Sequence, residues 1–373
     1  RNTPPADVVS GGAAAPARAI LTARSLGART APAPVRQPFP LHTALTPRLL
    51  AAHSEILVIE ETMGVIEMQL ADRQRVRGKL SGAVPRVGEI LPEVVENSIR
   101  QFAELAGRAP SLPTIPGRRP TLCAGCPHRA SYFAIKKAAP RAIYTGDIGC
   151  YTLGLNLGAV DTVLCMGAAI SQAAGFYHAF KNVPKPPDIV ATIGDSTFFH
   201  AGVPALIDAV VQGVKFVLVI LDNRTTAMTG NQPTPATGTG AMDEPLNRVA
   251  IESLVRGCGV SRCPTADPYQ LEAFTRTVRA AVKYSRESGP AVVIARHPCL
   301  LDKRRPEAAA PTEAPAVGDA CDGCGYCLTN FECPAMGIDP ETERVRIDPL
   351  VCSGCGVCLT ICPQKAIAAC DRD

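Results

Sequence analysis

The chain has 373 residues, of which 46% are hydrophobic and 5% aromatic, and its formal net charge is +4 at pH 7. This length is sufficient for two or three domains with sizeable cores. Because the positive charge is weak and Trp is absent, nothing indicates a nucleic-acid partner or attraction to an anionic membrane. The longest uncharged run, residues 162–180, includes Ser171, Gln172 and His178, which favours a buried helix over a membrane span.

The amino-terminal third of the chain predicts an α/β domain. Residues 1–17 are rich in Ala, Pro and Gly, so we expect them to be disordered or an artefact of where the chain starts. Over residues 18–115, a strand at 55–59 alternates with helical segments, the last of them at 91–105. No nucleotide-binding fingerprint is present in this stretch, and we therefore interpret it as a packing domain.

Strands and helices alternate again across residues 116–303, which predicts a doubly wound parallel sheet. An apolar strand at residues 188–193 ends in Gly194 and Asp195, and an amphipathic helix separates it from a second apolar strand at 216–221. Parallel strands joined in this way form a β-α-β unit, whose ligands bind at the carboxyl edge of the sheet.

Two oxygen-bearing side chains follow these strands. Asp195 comes directly after the first strand and Asn223 shortly after the second, so we expect both at the same edge of the sheet. Hard oxygen ligands close to the amino end of a helix suit Mg²⁺ bound to a diphosphate. The alternative is an ordinary strand-end Asp and a turn Asn.

Nine of the sixteen cysteines lie in residues 318–373, after an Ala- and Pro-rich linker at 304–317. Eight of them form two CxxCxxC runs, each with a fourth Cys before Pro, and in two-cluster ferredoxins this fourth Cys binds the other cluster. The predicted ligand sets are Cys321, Cys324, Cys327 and Cys362 for one [4Fe–4S] cluster, and Cys352, Cys355, Cys358 and Cys333 for the other. A pair of zinc sites is the disfavoured alternative. Clusters of this kind indicate a reducing cytoplasm.

Four further cysteines lie in motifs that we expect near the edges of strands or domains, where they could meet: Cys123, Cys126, Cys150 and Cys299. They are candidates for one more cluster, although each could be a buried core thiol, which is the usual fate of a free Cys. The remaining four lack such a setting, and we interpret them as core thiols (Cys165, Cys258, Cys263) and a surface thiol (Cys370).

Four motifs carry a family resemblance: CAGCPHR (Cys123–Arg129), GDIGCYTLG (Gly146–Gly154), GDSTFFHAG (Gly194–Gly202) and LDNRTTAMTGNQ (Leu221–Gln232). They resemble the 2-oxoacid:ferredoxin oxidoreductases, and most closely the large (alpha) subunits of the indolepyruvate ferredoxin oxidoreductases. The resemblance extends from about residue 40 to the end of the chain. It implies that residues 18–115 correspond to a transketolase C-terminal-like domain.

The resemblance also implies a thiamine diphosphate site with Mg²⁺ on Asp195, Asn223 and the carbonyl of Thr225. Further cofactor-binding residues implied by the motifs are Asp147, Gly149, Gly194, Ser196 and Thr229. A third [4Fe–4S] cluster close to the thiamine is implied on Cys123, Cys126, Cys150 and Cys299. His128 is the candidate catalytic residue, with packing as the alternative, and Asp147 either contacts the cofactor or only turns its loop.

The implied reaction is arylpyruvate + CoA + oxidised ferredoxin → arylacetyl-CoA + CO₂ + reduced ferredoxin, with indolepyruvate as the arylpyruvate. The alternatives are the same reaction on pyruvate or branched-chain 2-oxoacids, and a non-catalytic electron-transfer subunit. The implied partners are ferredoxin and a small beta- or gamma-type subunit, in a heteromeric dimer of protomers. The family's large subunit begins with a pyrimidine-binding domain that supplies the Glu activating thiamine. Residues 1–17 are too few for that domain, so we expect a truncated chain or a half-site supplied by another polypeptide.

Overall fold

The structure, a computed structural model, describes residues 6–10, 31–35, 37–61, 63–70, 72, 74–106, 119–240, 242–302 and 314–370. The chain divides into two compact units, Arg1–Gly117 and Arg118–Asp373. Residues 304–313 of the expected linker at 304–317 lie outside the described residues. No helix in the described ranges is both long and apolar enough to cross a membrane.

The first unit contains a four-stranded parallel sheet. Its strands are β1 (Ala6–Ser10), β2 (Ala31–Val35), β3 (Ile56–Ile59) and β4 (Val76–Arg77), and its helices are α1 (Leu45–Ala52), α2 (Val65–Gln69) and α3 (Pro92–Phe102). The strand order is β2-β1-β3-β4. The expectation of disorder over residues 1–17 is wrong for β1, because this strand pairs in parallel with both β2 and β3, which supplies partners for its backbone on both sides.

Strand β3 is buried along its whole length. Its side chains alternate between two apolar clusters: Leu57 and Ile59 pack with α3, whereas Ile56 and Val58 pack with the region of α1 and α2. The alternation follows from the two-residue period of a strand. The predicted α/β character of this unit is therefore confirmed.

The second unit is built on a five-stranded parallel sheet. Its strands are β5 (Ile143–Thr145), β6 (Ile189–Gly194), β7 (Val217–Asp222), β8 (Thr265–Ala266) and β9 (Ala291–Arg296). The helices are α4 (Pro127–Ala138), α5 (Ala168–Phe180), α6 (Val203–Val211), α7 (Ile251–Gly257) and α8 (Leu271–Ser288), with short helical turns between them. The order β5-β6-β7-β9-β8 and the parallel pairing confirm the predicted α/β fold class.

Helices cover both faces of this sheet because its central strands are apolar on both sides. In β7, Val219 and Leu221 belong to one buried cluster, and Leu218 and Ile220 to the other. On the first face, α8 presents residues four apart, such as Phe274 and Val278, to the core, as expected of an amphipathic helix.

The cysteine-rich tail packs into the second unit rather than forming a body of its own. Its elements are β10 (Ala314–Val317), α9 (Tyr326–Asn330), β11 (Met336–Ile338), β12 (Val345–Ile347) and β13 (Ile367–Cys370). Strand β10 falls in the expected linker. The prediction of a linker is wrong for these residues, because they pair antiparallel with β13. Phe331 of the tail meets Phe133 of α4 edge-on at 6.0 Å, which extends the core into the tail.

Candidate active site

The predicted Mg²⁺ ligands follow two adjacent strands. Strands β6 and β7 pair in parallel with Gly194 opposite Leu221, so Asp195 and Asn223 leave the same edge of the sheet. Both side chains are buried, with relative exposures of 2% and 6%. The structure thus brings together the two residues whose spacing suggested a shared site.

Asp195 has an unsatisfied carboxylate. Its Oδ1 accepts a hydrogen bond from the N–H of Ser196 at 2.8 Å, whereas its Oδ2 is buried without a hydrogen-bond partner in the described part of the chain. Burial raises the pKa of Asp195 well above its ordinary value, and the nearby Asp222 carboxyl raises it further. The Arg296 guanidinium pairs with Asp222 at 2.6 Å. A divalent cation with oxygen ligands would supply the charge and the bond that Asp195 lacks.

The loop after β7 is held against the loop after β6. Oδ1 of Asn223 accepts a hydrogen bond from the N–H of the buried Thr225 at 3.3 Å, and the Thr226 hydroxyl donates to Oγ of Ser196 at 2.9 Å. These bonds connect the segments that carry all three predicted Mg²⁺ ligands. A carboxylate, an amide oxygen and a carbonyl are the donor types that a hard cation prefers, so the residues present fit Mg²⁺ with a diphosphate.

His128 lies in the interior beside these loops. Its Nε2 is 3.5 Å from the amide nitrogen of Asn223, and its ring meets the Tyr151 ring edge-on at 5.9 Å. Burial lowers the pKa of His128 to about 4, so the imidazole is neutral near pH 7. The structure gives His128 both a packing contact and a position next to a predicted Mg²⁺ ligand.

Tyr151 is a site residue that the sequence patterns did not single out. A Cβ added at Gly149 or at Gly194 would come within 2.4 Å of the Tyr151 ring, so both predicted cofactor-binding glycines make room for this side chain. The Tyr151 hydroxyl donates to the carbonyl of Ile148 at 2.9 Å and lies 2.9 Å from Oγ1 of Thr197. Its place inside the GDIGCYTLG motif (Gly146–Gly154) was the available signal.

Two predicted cofactor residues have other contacts. The Asp147 carboxylate is fully buried and accepts hydrogen bonds from the N–H groups of Gly167 at 2.9 Å and Ala169 at 3.2 Å. It therefore fixes the start of α5, which fits the alternative role within the protein, and its contact with a cofactor stays a prediction. Thr229 is exposed and donates to Gln232 at 2.6 Å, so its role toward a cofactor stays a prediction.

The four inner cysteines influence one another electrostatically. Burial raises the pKa of Cys150, and the thiols of Cys123 and Cys299 raise it further. Burial also raises the pKa of Cys126 to about 12, with a contribution from Cys123. Thiols in such a group are converted to thiolates only by a strong cation or cluster. The backbone N–H of Cys299 donates to the carbonyl of Asn223 at 3.1 Å, which joins this group to the predicted Mg²⁺ loop.

The tail cysteines line two separate cavities. The lining of one includes Cys321, Cys324, Cys327 and Cys362. The lining of the other includes Cys333, Cys352, Cys355 and Cys358. These are the two sets expected when the fourth Cys of each run crosses to the other cluster.

No three His, Cys, Asp or Glu side chains in the described ranges are close enough together to hold a single metal ion. The second tail cavity is also lined by Ala124 and Gly125 of the inner CxxC loop. The second set of tail cysteines therefore lies against the inner cysteines.

Comparison with known families defines the class. Residues 125–295 match the model of the thiamine pyrophosphate enzyme, C-terminal TPP binding domain, and residues 345–368 match that of the 4Fe-4S binding domain. The fold and the site thus define a thiamine-diphosphate-binding domain joined to an iron–sulfur domain.

Among curated proteins, the chain is 38% identical to the indolepyruvate oxidoreductase subunit IorA of Methanothermobacter marburgensis over 348 residues. It is also 38% identical to the subunit of that name from Archaeoglobus fulgidus over 354 residues. Each match covers 88% of this chain and 54% of the relative, so the chain spans about half the length of these proteins. Homology to the IorA subunits confirms the resemblance drawn from the motifs. A 2-oxoglutarate:ferredoxin oxidoreductase from Magnetococcus marinus aligns more distantly, at 17% identity and a TM-score of 0.42 over 51% of this chain and 70% of that chain.

Proposed function

We propose that this chain is the cofactor- and cluster-bearing part of a 2-oxoacid:ferredoxin oxidoreductase that oxidises indolepyruvate and related arylpyruvates. The observation that carries the proposal is the buried Oδ2 of Asp195, which has no hydrogen-bond partner among the residues that the structure describes. It lies at the sheet edge where the N–H of Cys299 donates to the carbonyl of Asn223. Thiamine diphosphate, when bound, supplies the carbanion chemistry that releases CO₂ from a 2-oxoacid.

In this proposal Asp195, Asn223 and the carbonyl of Thr225 hold the Mg²⁺ that orients the diphosphate. The unpaired carboxylate makes the largest electrostatic contribution, because it brings a full negative charge that burial leaves unsolvated. His128, neutral because of its lowered pKa, is a hydrogen-bonding group near this edge rather than a second positive charge. Tyr151 separates the two Gly-containing motifs and keeps them in place.

The cysteine sets lie in an order that suits removal of electrons from this site. The inner set is joined to the Mg²⁺ loop through Cys299 and Asn223. The second tail cavity is in contact with the inner loop at Ala124 and Gly125, and the first tail cavity, with Cys321, has no residue of that loop in its lining. We therefore infer that electrons pass from the inner set to the Cys352 set and then to the Cys321 set, and leave to ferredoxin.

The relatives named indolepyruvate oxidoreductase support the proposed substrate and the proposal of a multi-subunit enzyme. We propose coenzyme A as the acyl acceptor, giving arylacetyl-CoA. We also propose a small second subunit, and a chain or domain that supplies the activating Glu of the pyrimidine half-site. We propose a reducing cytoplasm as the location of the enzyme, because the clusters need protection from oxidation.

The test is an anaerobic assay of the complex with coenzyme A, a viologen dye and a panel of 2-oxoacids. Indolepyruvate and phenylpyruvate should reduce the dye with a higher kcat/KM than pyruvate or a branched-chain 2-oxoacid. Asp195→Asn should abolish the reaction, and Asp208→Asn, a matched change of an exposed carboxylate, should leave it intact. Preference for pyruvate would overturn the substrate assignment, and reduction by none of the acids would favour a non-catalytic electron-transfer subunit.

A further inference from the structure

Arg129 is a buried arginine that the proposed reaction does not use. Its relative exposure is 0%, and its guanidinium donates hydrogen bonds to the carbonyls of Phe331 (at 2.7 Å), Glu332 and Leu122. The Phe331 ring lies below the guanidinium, 5.8 Å from its centre. A fully buried arginine is costly unless its charge is compensated, so its location calls for an explanation.

The hydrogen bonds of Arg129 reach two cysteine sets at once. Leu122 directly precedes Cys123 of the inner set, and Glu332 directly precedes Cys333 of the second tail set. The backbone N–H of Arg129 also donates to the carbonyl of Cys126 at 3.1 Å. A single planar, forked side chain therefore holds the loops of two neighbouring cluster sites in fixed relation, a geometry that a lysine cannot reproduce.

Within the described part of the chain, the positive charge of Arg129 is not cancelled by a direct ion pair. All the hydrogen bonds given above for its guanidinium end on neutral carbonyl oxygens, while the Glu332 carboxylate pairs with the exposed Arg119. A buried cation favours the more negative state of a nearby group, because little solvent screens their interaction.

We propose that Arg129 is a positioning residue that fixes the inner and second tail cysteine sets against each other and, by its buried charge, favours reduction of the clusters they carry. This inference rests on the proposed function in that both sets hold [4Fe–4S] clusters. The first tail set meets Arg129 indirectly: the carbonyl of its Cys327 accepts hydrogen bonds from the N–H groups of Phe331 and Glu332, and no cysteine of this set is the sequence neighbour of a residue that the guanidinium binds.

The charge is tested by anaerobic redox titration of Arg129→Gln and Arg129→Lys in the full chain, with the reduced clusters followed by EPR. In Arg129→Gln, the inner and second tail clusters should titrate at lower potential, and the first tail cluster at its wild-type potential. Arg129→Lys should keep wild-type potentials. The matched control Arg119→Gln removes a solvent-exposed charge bonded to the same Glu332 and should shift no cluster. The role of the charge is overturned if the clusters have the same reduction potentials in Arg129→Gln and Arg119→Gln. It is also overturned if the potentials of all three clusters shift equally in Arg129→Gln.

The positioning role is tested by hydrogen exchange in the same variants. Arg129→Lys should accelerate amide exchange in residues 121–126 and 331–335 by about tenfold, equivalent to about 1.4 kcal/mol, and Arg119→Lys should not. Unchanged exchange overturns this role. If Arg129→Gln loses its iron while Arg119→Gln keeps it, the positioning role is supported and Arg129→Lys alone tests the charge. Iron missing from the wild-type chain would instead count against the proposed function.

Discussion

Replacement of Asp195 by Asn should abolish cofactor binding without lowering the stability of the cofactor-free chain. The Asp195 carboxylate is buried beside Asp222, and its Oδ2 has no hydrogen-bond partner in the described residues. Burial and this neighbour raise its pKa, which means that the ionised form is disfavoured in the folded chain. Asp195→Asn removes this unfavourable charge, so the cofactor-free variant should be at least as stable as the wild-type chain.

The magnitude follows from binding linkage. A ligand present at 100 times its Kd stabilises a folded chain by about 2.7 kcal/mol. For the unit Arg118–Asp373, with each kcal/mol worth roughly 2–4 °C, this predicts a rise in Tm of about 5–10 °C when Mg²⁺ and thiamine diphosphate bind the wild-type chain. In Asp195→Asn this rise should disappear, because the charged ligand of Mg²⁺ is lost.

The assay is anaerobic thermal unfolding, with and without Mg²⁺ and thiamine diphosphate. The neighbouring carboxylate provides the contrast: Asp222 is paired with Arg296 at 2.6 Å, so Asp222→Asn should lower the cofactor-free stability by about 2 kcal/mol. This is less than the 3–5 kcal/mol of a fully buried pair, since Arg296 keeps Glu252 at 2.7 Å. If Asp195→Asn destabilised the cofactor-free chain as Asp222→Asn does, or still gained stability with cofactor, Asp195 would not be the charged ligand of Mg²⁺.

Three further predictions concern the clusters and His128. Cys362→Ser should remove about four irons and the EPR signal of the Cys321 set, and Cys333→Ser should remove the signal of the Cys352 set. The opposite assignment of the two signals would contradict the crossed ligation. The control Cys370→Ser, which lies outside both sets, should keep all of its iron. Cys299→Ser should also remove about four irons but leave both tail signals; unchanged iron would exclude the inner cluster. The pKa of His128 is about 4 in the folded chain, which is below its value in the unfolded chain. Protonation of His128 therefore favours unfolding. The free energy of unfolding is unaffected above about pH 6.5 and falls as the pH drops toward 4. Between pH 7 and pH 5 the free energy of unfolding should fall by about 2 kcal/mol from this cause. His128→Gln, measured by urea unfolding, should lose that pH dependence. An equal dependence in the wild-type chain and the variant would show that His128 is not its source.

The sheet that carries the site could be predicted because its strands are buried on both faces. Such strands are continuous apolar runs, and the run predicted at 216–221 appears as Val217–Asp222. Once the two strands are parallel neighbours, topology alone places Asp195 and Asn223 at one edge. The crossed grouping of the tail cysteines followed in the same way from spacing.

Features that depend on distant partners could not be predicted. The Asp147 carboxylate is bonded to Gly167, twenty residues further on, so its motif gave no sign of a capping role. The guanidinium of Arg129 donates a hydrogen bond to the carbonyl of Phe331, which lies in the tail. Strand β10, Ala314–Val317, has a linker-like composition with Pro315, and only its pairing with β13 makes it a strand.

Whether the Asp195 edge is a thiamine site joined to clusters is decided by the anaerobic stoichiometry of the purified chain, with thiamine diphosphate, Mg²⁺, iron and sulfide measured together. The predicted result is one thiamine diphosphate and one Mg²⁺ per chain, with about twelve irons in three [4Fe–4S] clusters, and loss of the thiamine and Mg²⁺ in Asp195→Asn. An iron-loaded chain that binds no thiamine diphosphate at saturating Mg²⁺ would contradict it.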